Sequence, residues 1–457
     1  MDAEIGDFEK ADVLIEGSTI AEVGPDIHAD AHVVDASGMI VMPGLIDTHH
    51  HQYETIQRAI IADGILQGDW PEQSYFSVVQ AIWTQGRNAL FDLGRSPYEP
   101  KDNYISELVA SLSQINAGVT TGIDTSQSSH TPEHTDAMIE GVMDSGRRTL
   151  FAYSGGRGDD PDYEYPGTAG DTTRGLGRLK RQYFSSDDQL VTLALGGGVS
   201  VDNLLLARAF EVPLVSHAFA ASGAAGIDAV DAEGLLGPDQ VYIHATQFAD
   251  ATFEKIAASG GHVSIATAIE MSMRHGMPPI QQALDHGILP SLSTDVETNM
   301  AADLFTVMRA TFTLQRALLN ERYIAGESDL PQLVSCEEVL RMGTIAGARA
   351  AQLDRKVGSL TPGKEADVIV LDASTINTMP LNNAPGAVVT LMDTSNVRHV
   401  FIAGRLMKWD FRLVGVNVDK LRHEIEASRD AVLGRIQEAF PDYMPSRVGS
   451  CCLPYGT

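Results

Sequence analysis

Short apolar runs, each closed by polar residues or glycine, recur from residue 40 to residue 293, and helical spacing fills the gaps between them. The first run, Ile40-Val41-Met42-Pro43-Gly44-Leu45-Ile46, ends in Asp47-Thr48-His49-His50-His51 and reads as a short buried strand. Similar runs cover 119–124, 149–153, 191–195, 213–217, 241–244, 262–266 and 288–293. Apolar residues at helical spacing, with Pro or Gly as punctuation, mark helices over 103–117, 132–145, 201–210, 249–258 and 279–286. Strand and helix thus alternate over 40–320, which predicts an α/β fold: a (β/α)8 TIM-like barrel with helices outside.

The flanks follow a different pattern. Strand-like pieces at 12–16, 20–23, 32–34 and 39–42 precede the barrel, and others at 368–371, 397–402 and 405–408 follow it without helical partners. They are expected to pair into a small β-sandwich domain built from both ends of the chain. The expected division is 1–42 and 356–412 for that domain, 43–355 for the barrel, and 413–457 for a C-terminal helix (418–440) and a loose tail. Residues 52–103, with Trp70, Tyr75, Phe76, Trp83 and Phe91, form a connection long enough for a pocket wall; 74–90 within it has helical spacing. A further helix is expected at 336–352 and a loop at 155–175.

Composition narrows the function. With 457 residues and 44% hydrophobic side chains the chain can bury a large core. A formal charge of −29 argues against a nucleic-acid partner, because a phosphate-binding surface must be basic. No apolar run reaches membrane-spanning length and no leader opens the sequence, so a cytoplasmic protein with no membrane partner is expected. Three cysteines, Cys336 and the pair Cys451-Cys452, make no disulfide framework.

Along a strand, side chains alternate faces, so His49 and His51 share one side and His50 takes the other. Two imidazoles on one side of a strand end can share a divalent metal. His217, His244 and Asp295 also stand at or just past the ends of strands. In a parallel barrel those ends converge on one face, where chemistry is located. Each residue also has a plain structural alternative: Asp295 could cap a helix, and His244 could be a core histidine. Glu270 and Glu297 follow the seventh and eighth strands and are candidate proton carriers or substrate contacts. Gln127 and Trp70 are candidate substrate-binding residues.

In order along the chain, Met42-Pro43-Gly44-Leu45-Ile46-Asp47-Thr48-His49-His50-His51, His217, His244, Ser293-Thr294-Asp295 and Gly358–Leu371 resemble the amidohydrolase superfamily, in the branch of cytosine deaminases and triazine hydrolases. The resemblance implies that His49, His51, His217 and Asp295 hold one divalent metal, zinc or alternatively iron. It implies that His244 faces the substrate or the metal-bound water; Asp295, as a carboxylate at the metal, is then the natural base. Three departures stand out. The fourth strand, 191–195, has no lysine to bridge two metals, so one is expected. The run His217-Ala218-Phe219-Ala220-Ala221-Ser222 lacks the glutamate with which related deaminases move a proton, a task for which Glu270 is the first candidate here. An N-terminal strand found in relatives has no counterpart before residue 11. The expected function is metal-dependent hydrolysis of a C–N bond in a small cyclic nitrogen compound by a homodimer. Alternatives are an amide, carbamate or thiocarbamate hydrolase, a dechlorinase, or a metal-free scaffold.

Overall fold

The structure, a computed structural model, describes residues 5–68, 70–155 and 173–444. Most of the 155–175 loop, most of the 441–457 tail and Cys451-Cys452 lie outside these residues. Strands β1 (Asp12–Glu16) and β2 (Thr19–Gly24) form an antiparallel hairpin. Strand β3 (Met39–Pro43) belongs to a different sheet from β4 (Leu45–His50), although only Gly44 separates them. Gly44 is required there: a Cβ would lie 2.1 Å from Thr120 Oγ1.

From β4 the chain builds eight parallel strands: β5 (Val119–Ser126), β6 (Arg148–Tyr153), β7 (Val191–Gly196), β8 (Leu214–Ala218), β9 (Gln240–His244), β10 (His262–Ile265) and β11 (Ser291–Leu292) complete the set. Each strand pairs with its sequence neighbour, as a right-handed βα succession requires. Every residue of β4, β5, β6 and β7 is buried, the mark of parallel strands covered on both faces. The barrel closes where His50 bridges Asp295 in parallel register.

Strand β3 joins β12 (Val368–Asp372), β13 (Val397–Ile402), β14 (Arg405–Trp409) and β15 (Arg412–Leu413) in an antiparallel sheet, so both ends of the chain do meet in one layer. Arg148, at the foot of β6, locks this layer to the barrel through Asp367 and Glu365 at 2.9 and 2.6 Å.

Several expectations need correction. No strand forms at 32–34. The eighth barrel strand shrinks from 288–293 to Ser291–Leu292, because the chain then turns to present Asp295. The 74–90 helix is a π-helix, Tyr75–Thr84, and the 336–352 helix is interrupted by a π-turn at Met342–Ala346. Helices Ala220–Ala232 and Leu304–Ile324 were not read from the pattern. The first is rich in Ala and Gly and lacks a sharp apolar stripe.

The connection 52–99 folds over the barrel mouth. Its Ile56, Tyr75, Val79, Ile82 and Trp83 pack with Val296 and with Val432 and Ile436 of the C-terminal helix Val418–Ala439. Trp83 Nε1 donates to Tyr443 Oη at 2.9 Å, and Arg435 pairs with buried Asp102 at 2.8 Å. The last helix therefore holds the cover down on its own barrel.

Candidate metal centre

Strand alternation does what the sequence required of it. His49 and His51 turn toward one point, their ring centroids 4.6 Å apart, while His50 turns away toward Glu297. From β8, His217 brings its ring to 4.7 Å from His49 and 5.2 Å from His51. From the end of β9, His244 lies 5.7 Å from both His49 and His217. Beyond β11, Asp295 Oδ1 sits 3.0 Å from His49 Nε2 and 3.5 Å from His51 Nε2, and Oδ2 is 3.8 Å from His244 Nε2. The backbone is bent to achieve this: His244 and Asp295 have φ of 72° and 62°, a region L-residues enter at a cost of roughly 1–3 kcal/mol each.

Donor atoms of His49, His51 and His217 all lie within 4.8 Å of one another, as do those of His49, His244 and Asp295. Burial, with mutual repulsion of their positive forms, holds the pKa values of His51 and His217 well below the usual imidazole range. Both are thus neutral and free to ligate. Burial alone would raise Asp295, but the His49 hydrogen bond and the surrounding imidazoles hold it well below the usual carboxylate range. His51 Nδ1 is buried without a hydrogen-bond partner. Three imidazoles and one ionised carboxylate drawn together in this way are a donor set that fits a small divalent cation of the zinc type.

The surrounding contacts orient this set. Thr125 Oγ1, on β5, pairs with His49 Nδ1 at 2.8 Å. Beneath, Asp47 accepts from the Thr294 backbone N–H at 3.1 Å and from Gln114, fixing the approach to Asp295. Glu270 Oε1 stands 3.1 Å from His244 Nδ1 and accepts the Ala266 N–H at 2.9 Å. Burial would lower His244, yet the Glu270 hydrogen bond and the nearby carboxylates outweigh it and raise its pKa.

A cavity of about 300 Å³ opens beside His217, lined by Thr125, Gln127, Ser154, Val215 and Gly196–Gly198. Among the lining residues there is no charged side chain apart from a titratable imidazole. Gln127 is therefore brought to the cavity. Trp70 is not: it is 43% exposed, before the short turn Pro71–Gln73. Glu297 is also placed elsewhere, with Arg58 Nη2 at 2.8 Å and Thr55 Oγ1 at 2.9 Å.

Four neighbours escaped the sequence reading. Thr125 and Ser154 are small hydroxyls with no motif around them. His275 lies with its ring 4.5 Å from His244, reached by a turn that no periodicity announces. Glu54, three residues past His51, is fully buried beside Tyr53 and Tyr75.

Comparison with known proteins agrees with this geometry. Residues 207–407 match the family model of the amidohydrolases. The chain is 26% identical to a 5'-deoxyadenosine deaminase of Methanosarcina mazei, over 95% of this chain and 96% of that protein. It is likewise 26% identical to a 5-methylthioadenosine/S-adenosylhomocysteine deaminase of Syntrophobacter fumaroxidans, covering 92% of each. The fold matches an adenosine deaminase of Xanthomonas campestris with bound zinc (TM-score 0.77, 20% identity, 93% of this chain and 94% of that one). It also matches an atrazine chlorohydrolase of Arthrobacter aurescens complexed with zinc (TM-score 0.76, 21% identity, 94% and 97%). With its barrel and its converging imidazoles, the chain carries an amidohydrolase family domain over residues 207–407.

Proposed function

We propose that this protein is a metal-dependent hydrolase that breaks a C–N bond of a small, neutral, cyclic nitrogen compound, with one zinc ion per chain. One observation carries the reading: side chains from β4, β8 and the segment past β11 bring three imidazoles and a carboxylate together, with a fourth imidazole from the end of β9 beside them. His49, His51, His217 and Asp295 would hold the ion. When bound, a divalent cation supplies Lewis acidity and brings the pKa of a water down to about 7.

The residues of the chain divide the remaining work. Asp295 is ionised across the working pH range and takes a proton from the attacking water. His244 holds its Nδ1–H for Glu270, and in the protonated form that the neighbouring carboxylates favour, its Nε2–H donates to the oxygen on which negative charge develops. Glu270 therefore acts through His244 rather than on substrate. Gln127, Ser154 and Thr125 offer neutral donors and acceptors to a flat heterocycle, and the uncharged lining disfavours a highly anionic substrate.

Among substrates, the curated relatives point to an adenine nucleoside lacking a 5'-phosphate. Chloride release is the second reading, favoured by the absent carboxylate after His217, since a halide leaves without a proton. The iron alternative is separated from zinc by elemental analysis. A homodimer, carried over from the family resemblance, is checked by light scattering, and the cytoplasmic location expected from the sequence by fractionation.

The test is ammonia release by zinc-loaded protein from 5'-deoxyadenosine and 5-methylthioadenosine, with a chloro-triazine in parallel. Stoichiometric zinc with turnover on the nucleosides is the expected result. Protein that holds no metal after supplementation and turns over nothing would return the chain to the scaffold reading.

A further inference from the structure

Glu54 is a buried carboxyl that neither the ligand set nor His244 uses. It lies on the turn Gln52–Gln57, directly after the His49-x-His51 pair. Three donors converge on one of its oxygens: Tyr53 Oη at 2.9 Å, Tyr75 Oη at 2.7 Å and Gln80 Nε2 at 3.1 Å all reach Oε1. Its other oxygen, Oε2, is buried with no hydrogen-bond partner. The two tyrosines of this cradle also face the metal centre, with ring centroids 6.0 and 6.3 Å from that of His51.

That asymmetry has a chemical meaning. A carboxyl oxygen accepting three hydrogen bonds is the carbonyl-like one, and the acid proton then belongs on the bare oxygen. A buried, unpartnered carboxylate oxygen would cost several kcal/mol, whereas an O–H there waits only for an acceptor. Burial, opposed by the hydroxyl and amide donors and aided by the Asp295 charge, pushes the Glu54 carboxyl up to about 8. The groups facing it are Tyr53 on its own turn, Tyr75 and Gln80 on the π-helix, and Asp295 past β11.

We propose that Glu54 is the proton donor to the leaving nitrogen, in the role left unfilled by the absent carboxylate after His217. This rests on the hydrolase reading above. The water oxygen bonds to the ring carbon, and one water proton passes to Asp295. The ring C=N bond then re-forms, the C–N bond to the leaving group breaks with its electron pair going to nitrogen, and Glu54 Oε2–H supplies the proton that makes ammonia. The proton on Asp295 returns, by way of solvent, to Glu54, so one water is consumed and one ammonia released.

The experiment compares 6-amino and 6-chloro purine nucleosides as substrates of wild type and Glu54→Gln. Glutamine mimics the shape and neutrality of the acid without its proton. The expected loss is roughly 10²–10⁴-fold in kcat on the amino compound, the usual share of general acid catalysis, and under tenfold on the chloro compound. Circular dichroism and zinc content should be unchanged. A Glu54→Gln enzyme within tenfold of wild type on the amino compound overturns the proposal, and so does an equal loss on both. Should wild type be inert to both, the hydrolase reading fails instead. The infrared band of a protonated carboxyl then decides for Glu54, standing if Glu54→Gln removes it at pH 7 and falling if no such band exists.

Discussion

Asp295 is bonded to His49 twice: its backbone N–H donates to the His49 carbonyl at 2.9 Å, and its Oδ1 lies 3.0 Å from His49 Nε2. His51 completes the lacing by donating its N–H to the Asp295 carbonyl at 2.8 Å. Residues 246 positions apart are thereby set in register by the same contact that closes the barrel. The metal centre and the closure of the fold are one structural event.

Asp295→Asn separates the two roles. The backbone bonds survive, so the barrel closes, but the carboxylate charge and one ligand are lost. Zinc content by elemental analysis should fall along with that of His51→Ala, and turnover should drop by well over ~100-fold, since even supporting residues of metal sites are worth 10–100-fold. Near-normal rates with metal retained would refute the ligand assignment.

Thr125→Val removes the hydroxyl beside His49 Nδ1 while keeping the shape of the side chain. The ring is then free to rotate and its tautomer is no longer fixed. Zinc affinity, measured by competition with a chelator, should weaken roughly 10–100-fold.

Glu270→Gln tests whether that residue works through His244. A positioning role predicts kcat down roughly 10–100-fold with KM little changed. A rise in KM at constant kcat would place Glu270 against the substrate instead.

Asp102 is fully buried and holds the C-terminal helix through Arg435 and Ser428, at 2.8 and 2.6 Å. Asp102→Ala leaves the guanidinium without its main partner, at a cost of about 3–5 kcal/mol by analogy with other buried pairs. The melting temperature should fall, and limited proteolysis should cut first near the C-terminal helix.

Burial pushes the Asp124 carboxyl up to about 7 from 3.8 despite the Arg147 guanidinium, and Glu107 is raised by burial and by Asp124. The folded state therefore holds more protons than the unfolded chain between about pH 4 and pH 7. Stability from this pair is full below that window and declines as pH rises through it. Asp124→Asn should flatten the decline, measured as denaturation midpoints at pH 5 and pH 8.

The barrel was legible because parallel strands buried on both faces leave continuous apolar runs, as in 149–153 and 191–195. Where the run was not continuous, the reading slipped: the eighth strand was drawn too long, and helix 220–232 went unread for want of a stripe. His49, His51, His217, His244 and Asp295 stood out because a strand end is a fixed address in this fold. Period-two alternation then assigns each side chain its side.

Side chains brought in by irregular backbone carried no such address. Glu54, Thr125 and His275 reach the centre through a one-turn helix, a strand's last residues and a turn, none with a repeating pattern. Glu297 and Trp70 stand as candidates beside Glu270 in the sequence, but in the fold Arg58 claims the first and solvent the second. Local sequence thus determined which strands form and which faces they show, because both follow from periodicity within a few residues. Only the closed barrel decided which carboxyl meets which imidazole, because those distances are set by packing between segments far apart in the chain.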